Sequence, residues 1–288
     1  MPCQSVFVEM FGFDARCAPV SCQMRVKTLK FPRNPGGPML SKRHAAILKL
    51  LEANGMMPLS ALARALDVSH ETVRRDVRPL EEAGQVLRIH GAVGLAGQVG
   101  EAPFQKRMRE NAEAKRKIAR AVAATIRDGE AVMLDTGTTT SFLARELVHH
   151  RKLTVITNSS DIARTLATQN GNRVYMAGGE LRPDSGAAFG TSALDFVSQF
   201  SVAHAVISAG AVDASGVMDF DLEEAVFART ILERGERRVV VTDHTKFGRR
   251  GLIAVCPFTA ITDLVTDTSP PTEIAQALAA AGTVLSIA

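Results

Sequence analysis

The chain has 288 residues, 46% of them hydrophobic, with 34 Lys+Arg against 30 Asp+Glu. That length suits two domains with separate cores, and no run approaches the roughly 18 continuous apolar residues of a membrane span, so a membrane protein is not expected. Residues 1–120 hold 20 Lys+Arg against 11 Asp+Glu while 121–288 hold 14 against 19, a split that turns the front of the chain toward a polyanion.

Residues 1–38 show no sustained period and end in FPRNPGGP, so a disordered tail is expected. The opening MPCQSVFVEMFGF lacks a basic start and carries Glu9 inside its apolar run, which argues against a secretory signal and for a cytoplasmic protein. Met24 and Met39 are both candidate native starts. Cys3, Cys17 and Cys22 fall in this tail, and with Cys256 they form no C-x-x-C pair, so reduced, structurally incidental thiols are expected. Tyr175 is the single tyrosine and Trp is absent, which disfavours a stacking platform for single strands.

A DNA-binding domain is expected over 39–96. Ser41 can cap a first helix whose Ala45, Leu48 and Leu51, with Ile47 alongside, share one face until Gly55 ends it. Ser60 opens a short helix with Leu62, Ala63 and Leu66 inward; Asp67-Val68 makes a turn, and Ser69 caps a third helix running to Gly84. Burial of Val73, Val77 and Leu80 sends His70, Thr72, Arg74, Arg75 and Arg78 outward. The run from Val86 through Arg88 and His90 to Gly91 reads as a hairpin, or wing. Residues 97–128 form a polar helical connector rich in Lys and Arg, whose charge either tracks phosphate or is simply solvated. From 129 to 288, the apolar runs AVMLD, LTVITN, RVYMAGG, HAVISAG, RRVVVTD, ITDLVTD and TVLSIA alternate with helical stretches, the rhythm of a largely parallel sheet covered by helices. The fold class is therefore α/β, a winged helix-turn-helix followed by a Rossmann-like domain.

A recognition helix of this kind enters the major groove while the preceding helix crosses the backbone. Ser69 and Thr72 suit phosphate, Arg74 or Arg75 can reach guanine, and Arg88 and His90 would lie against phosphate or the minor groove. A bland alternative pairs Arg74 and Arg75 with Glu71 or Asp76 on a solvated face. In the second half, VMLDTGTTTS ends a strand and opens a helix, where free N–H groups favour phosphate, although ordinary capping explains the same hydroxyls. Other strand ends, including Asn158, Gly178-Gly179 and Lys246, can converge on the same crevice. His204 and His244 lack metal-spaced partners, so no metal is expected.

The string RHAAILKLLEANGMMPLSALARALDVSHETVRRDVRPLEEAGQVLRIHGA closely resembles the DNA-binding domain of the DeoR family of bacterial repressors, with VSHETVRRDVRPLEEAG and RIHGA the most specific parts. Pro79 inside the third helix and Ala92, where a second glycine is usual, depart from that pattern. The resemblance covers about residues 41–288. It implies a C-terminal sensor domain similar in fold to sugar-phosphate isomerases, double-stranded operator DNA as partner, a phosphorylated sugar or polyol as effector, a homodimer or homotetramer, and no cofactor. Within the family, AGGELRPDSGAAFGTSALDFVSQF and VVVTDHTKFGRRGL look most like the members governing glycerol-3-phosphate use. Carried over by motif, Asp135, Gly137, Thr138 and Thr139 would form the phosphate loop, with Asn158, Gly178, Gly179, Asp213, Glu224 and Lys246 lining the rest. Local alternatives are open for three of these: Asp135 as a helix cap, Asp213 as the closure of a turn before Gly216, and Glu224 paired with Arg229. An isomerase-like enzyme using Glu224 or Asp213 as base and Lys246 to hold substrate is the competing reading; the fused DNA-binding domain favours a sensor that only binds.

Overall fold

The computed structural model describes residues 42–54, 56–89, 91–95 and 100–288. The expected tail over 1–38, the Ser41 cap, the Gly55 stop and His90 lie outside them. Among the described residues no helix is long and apolar enough to cross a membrane.

Three helices, α1 (Lys42–Asn54), α2 (Leu59–Ala65) and α3 (His70–Glu82), pack with an antiparallel sheet of β1 (Met57–Pro58), β2 (Val86–Ile89) and β3 (Ala92–Leu95) in the order β1-β3-β2. Ile47, Leu51, Leu62, Val73, Val77 and Leu80 form their core. Ala45 is exposed and Leu48 half-buried, so the buried face of α1 runs through Ile47 and Leu51, rotated from the one expected. Asp67 takes a left-handed conformation (φ 50°) between α2 and α3. Ser69 then caps α3, its hydroxyl accepting from the Thr72 N–H at 3.2 Å. α3 continues through Pro79, which has no N–H to give the Arg75 carbonyl one turn back.

The connector is two helices rather than one, α4 (Phe104–Arg109) and α5 (Ala112–Ala123), broken at Asn111, whose φ of 50° leaves the right-handed helical region. Beyond it lies a seven-stranded parallel sheet. Its order is β13-β12-β10-β7-β4-β5-β6, formed by β4 (Ala131–Leu134), β5 (Thr154–Thr157), β6 (Arg173–Met176), β7 (Val202–Ser208), β10 (Gly235–Val241), β12 (Asp263–Thr266) and β13 (Val284–Ile287). These are the seven runs read from the sequence. Alternate residues bury on opposite faces: Val132 and Leu134 of β4 join Ile118 of α5 and Leu143 of α6 (Thr138–Leu147), with Ile162 of α7 (Ser160–Leu166). Met133 joins the other core, with Val197 of α8 (Thr191–Val197), Phe227 of α9 (Leu222–Leu232) and Leu278 of α10 (Thr272–Ala281). Helices thus cover both faces, as a fully buried parallel sheet requires.

A second, antiparallel sheet of β8 (Ala211–Asp213), β9 (Gly216–Asp219) and β11 (Ile253–Cys256) was not expected from the sequence. The main sheet changes direction between β4 and β7, since β5 and β6 build outward on one side and β10, β12 and β13 on the other. Such a switch point opens a crevice at the strand carboxyl ends.

Candidate functional site

The outer face of α3 is basic. Ser69, Thr72, Arg74, Arg75, Arg78 and Arg88 line one open groove of about 790 Å³, together with Glu71, Glu81 and Glu82. His70 is exposed on the same helix but does not line the groove. Arg74 sits 3.8 Å from Glu71, Arg78 3.0 Å from Glu82 and Arg88 3.5 Å from Glu81. Exposed pairs of this kind are worth about 0–1 kcal/mol and exchange easily for phosphate. Arg75 has no ion-pair partner among the described residues. Asp76, offered by sequence as its partner, is instead buried against Arg43 of α1, which donates to both carboxylate oxygens, Nη2 at 3.3 Å. The pair fixes α3 against α1 and leaves Arg75 on the surface.

At the switch point, Asp135 leaves β4 fully buried. It accepts from the Ser208 N–H (2.8 Å) and hydroxyl (3.1 Å) at the end of β7 and from the Thr140 hydroxyl at 2.9 Å. It does not cap α6; it ties β4 to β7. Burial pushes its carboxyl up to about 7 against the pull of those three donors. Gly137 begins α6 in extended backbone, and a Cβ there would meet the Ser208 hydroxyl at 1.9 Å, so only glycine lets this turn lie against β7. Thr138 and Thr139 are buried in the first turn of α6, where N–H groups have no partner within the helix. Thr136 Oγ1 and Ser141 Oγ beside them are buried without hydrogen-bond partners among the described residues, as is Asn158 Oδ1 at the end of neighbouring β5. The Asn158 amide donates to the Ala188 carbonyl at 2.9 Å, and Gly178-Gly179 turn the chain out of β6 beside Ala188 and Phe189.

Asp135 and Glu224 share a cavity with Glu101, Arg107, Asp219 and Ser208. Asp219 and Glu224 are both raised, each first by burial and then by a neighbouring carboxylate, Glu101 for Asp219 and Asp219 for Glu224. Glu224 also accepts from Arg182 at 3.2 Å, not from Arg229, which donates to the Ala254 carbonyl. Asp213 does not join them. Its carboxylate accepts from the Ser215 N–H at 2.8 Å and closes the β8–β9 turn, the local alternative, because a two-residue reach satisfies it there. Lys246, in a short 3-10 turn after β10, reaches the cavity through an ion pair with Glu101.

Glu101, Arg107, Asp219 and Arg182 were missed from sequence. Glu101 is gripped by Arg107 on one oxygen and Lys246 on the other; burial opposes its charge, yet the two cations hold it below the usual carboxylate range. Of the connector's cations, Arg107 and Lys115 are thus taken up inside the protein, while Arg109, Arg116, Lys117 and Arg120 are exposed. Lys115 is buried, 3.5 Å from Asp243 and donating to the carbonyls of Arg107 (3.1 Å) and Glu110, while Lys106 donates to the carbonyls of Ala83 (2.6 Å) and Gly84 (3.0 Å). His204 faces Glu130 at 2.9 Å and His244 faces Asp267 at 2.6 Å.

Residues 43–99 match the DeoR-like helix-turn-helix domain and 110–268 the DeoR C terminal sensor domain. The glycerol-3-phosphate regulon repressor of Escherichia coli (strain K12) is 33% identical over 239 residues, 83% of this chain and 95% of that protein. The HTH-type transcriptional repressor CsqR of the same organism is 37% identical over 82% of this chain and 91% of its own length. The lactose phosphotransferase system repressor of Staphylococcus aureus (strain N315) is 32% identical over 77% and 89%. Among solved structures, ribose 5 phosphate isomerase A from Neisseria gonorrhoeae matches 47% of this chain and 53% of its own at 18% identity and a TM-score of 0.35, a match with no weight for site or activity. The three relatives above 30% identity named here are transcriptional repressors, and with both of its domains matched the chain belongs to the DeoR family of transcriptional repressors.

Proposed function

We propose that the chain holds operator DNA through residues 39–96 and releases it when a phosphorylated sugar or polyol, glycerol-3-phosphate first among them, binds the sensor domain over 129–288. Residues 97–128 transmit the change. Ser69, His70, Thr72, Arg74, Arg75, Arg78, Arg88 and His90 face the duplex, Arg75 reading a base edge. Asp135, Gly137, Thr138 and Thr139 form the phosphate turn, Asn158, Gly178, Gly179 and Glu224 bound the rest, and Lys246 supplies countercharge. Asp213 is left to its turn. The protein works in the cytoplasm as a homo-oligomer on repeated half-sites.

The observation that carries the effector reading is the set of unpartnered buried oxygens, Thr136 Oγ1, Ser141 Oγ and Asn158 Oδ1, beside the N-terminus of α6. Burying polar atoms unpaired costs about 1–3 kcal/mol each; the phosphate of an ester seated there would accept from the two hydroxyls and the free N–H groups, and a hydroxyl of its sugar or polyol part would donate to Asn158 Oδ1, which can only accept. The 33% identity to a glycerol-3-phosphate regulon repressor supports the choice of ester. A mobility-shift assay on the gene's own upstream DNA, run with a panel of phosphate esters, tests both parts. Glycerol-3-phosphate is expected to free the DNA. Release by another ester alone would discard the ester and keep the sensor, and release by none would discard the sensor.

A further inference from the structure

The crevice at the switch point is nearly closed. At the switch point only about 10 Å³ is free, about the space of one water, whereas small-ligand sites run to roughly 300–1,000 Å³. An adjoining space of about 210 Å³ shares Glu101, Arg107, Asp219 and Glu224 with it. Glu101 lines both. One of its carboxylate oxygens meets the Arg107 guanidinium and the other the Lys246 ammonium, with both cations and the carboxylate largely buried. Arg249 donates to the Gly100 carbonyl at 3.2 Å and Arg107 to the Ala102 carbonyl at 2.8 Å, so the backbone on either side of Glu101 is fixed as well.

A carboxylate held between an arginine and a lysine in a half-dry cleft has the geometry of a bound anion. A phosphate offers the same acceptor atoms with more charge and would compete for both donors. We propose that Glu101 is a built-in surrogate for the effector's phosphate, filling an Arg107–Lys246 anion site in the effector-free protein and leaving it when a phosphate ester or free phosphate binds. This deepens the effector reading above and rests on it for the ester.

The position of Glu101 in the chain gives the exchange a consequence. Five residues on, Lys106 donates to the carbonyls of Ala83 and Gly84 at the C-terminal end of α3, the helix that faces the groove. Between them the Phe104 N–H bonds the Asp184 carboxylate at 2.9 Å and anchors the segment to the sensor domain. A strap that leaves the anion site with Glu101 and gives up the Phe104–Asp184 bond would move the residue that caps the DNA-facing helix.

Calorimetric titration of the full chain with inorganic phosphate and with glycerol-3-phosphate tests this in wild type, Glu101→Gln and Glu101→Gln/Lys246→Ala. Phosphate is expected to bind Glu101→Gln about tenfold more tightly than wild type, the loss of one competing charge-assisted contact, and the gain should vanish in the double variant. Should Glu101→Gln fail to fold, Glu101→Asp, whose shorter arm loses one cation, should still show a several-fold gain. Equal or weaker phosphate binding in the variant that folds, or a gain that survives loss of Lys246, overturns the proposal. Release of wild type from DNA by the ester, scored separately, distinguishes the two ideas. Release without a Glu101 effect sinks only the surrogate, and a Glu101 effect on phosphate without release by any ester sinks only the sugar-phosphate reading.

Discussion

Arg75 is an exposed cation on α3 with no ion-pair partner among the described residues, because Arg43 holds the neighbouring Asp76 in the helix interface. Truncation to Ala should weaken specific operator binding by about 1–3 kcal/mol, roughly 5- to 150-fold, with relaxed discrimination at one base position. Effector affinity measured without DNA should stay put, and a change of similar size there would remove Arg75 from the base-reading role. Asp135 makes a different prediction. Its carboxyl is raised from 3.8 to about 7 by burial, so its neutral form contributes stability that is whole below about pH 4 and is lost as pH rises through 7. Urea unfolding of wild type against Asp135→Asn should show wild type losing ground between pH 4 and 7 by up to about 1.4 kcal/mol per pH unit. A gap that does not change with pH would place the titration elsewhere.

The break between α4 and α5 brings a buried cation to a buried anion. Lys115, its side chain 4% exposed, lies 3.5 Å from Asp243, which is 1% exposed. Burial lowers the lysine against the pull of Asp243, and removing one partner strands the other. Lys115→Met is expected to cost about 3 kcal/mol and to lower Tm by roughly 6–12 °C, and a variant that melts with wild type would show that Asp243 finds its charge balance from other groups. Elements whose pattern is set by burial were legible in the sequence. The seven sheet strands lie between two helical layers and read as apolar runs, and α3 announces itself through Val73, Val77 and Leu80. The strands β8, β9 and β11 are three or four residues long with glycine and aspartate among them, and their partners are set by tertiary contact. Glu101 looked like one more charge in a polar connector because its partner Lys246 is 145 residues away. The left-handed Asn111 that divides the connector carries only a weak signal, the tolerance of asparagine for that conformation. Asp213 went the other way: a motif assigned it to the effector, and a hydrogen bond two residues along the chain claimed it.

Over the whole molecule, the 100–110 segment touches both the basic helix α3 and the closed crevice at the sheet's switch point. Gly84 is where that segment meets α3. Its φ of +62° disfavours any side chain, and a Cβ would lie 2.8 Å from the Lys106 side chain. Gly84→Ala should therefore loosen this junction, reducing the ester's effect on DNA affinity more than it reduces ester binding itself; equal losses would mean that Lys106 is not a route of coupling. A coupling free energy of about 1–3 kcal/mol is enough for a 5- to 150-fold change in operator affinity. Phosphate contacts make that affinity fall steeply with salt, so the comparison holds only at fixed ionic strength. The central claim, that a phosphorylated ester bound near Lys246 releases DNA from α3, is tested most directly by fluorescence anisotropy of labelled upstream DNA. Wild type and Lys246→Ala would be titrated with glycerol-3-phosphate at one salt concentration. Wild type should let go of the DNA while Lys246→Ala stays bound at the same ester concentration. Release of both at equal concentrations, or of neither by any phosphate ester, would contradict the account.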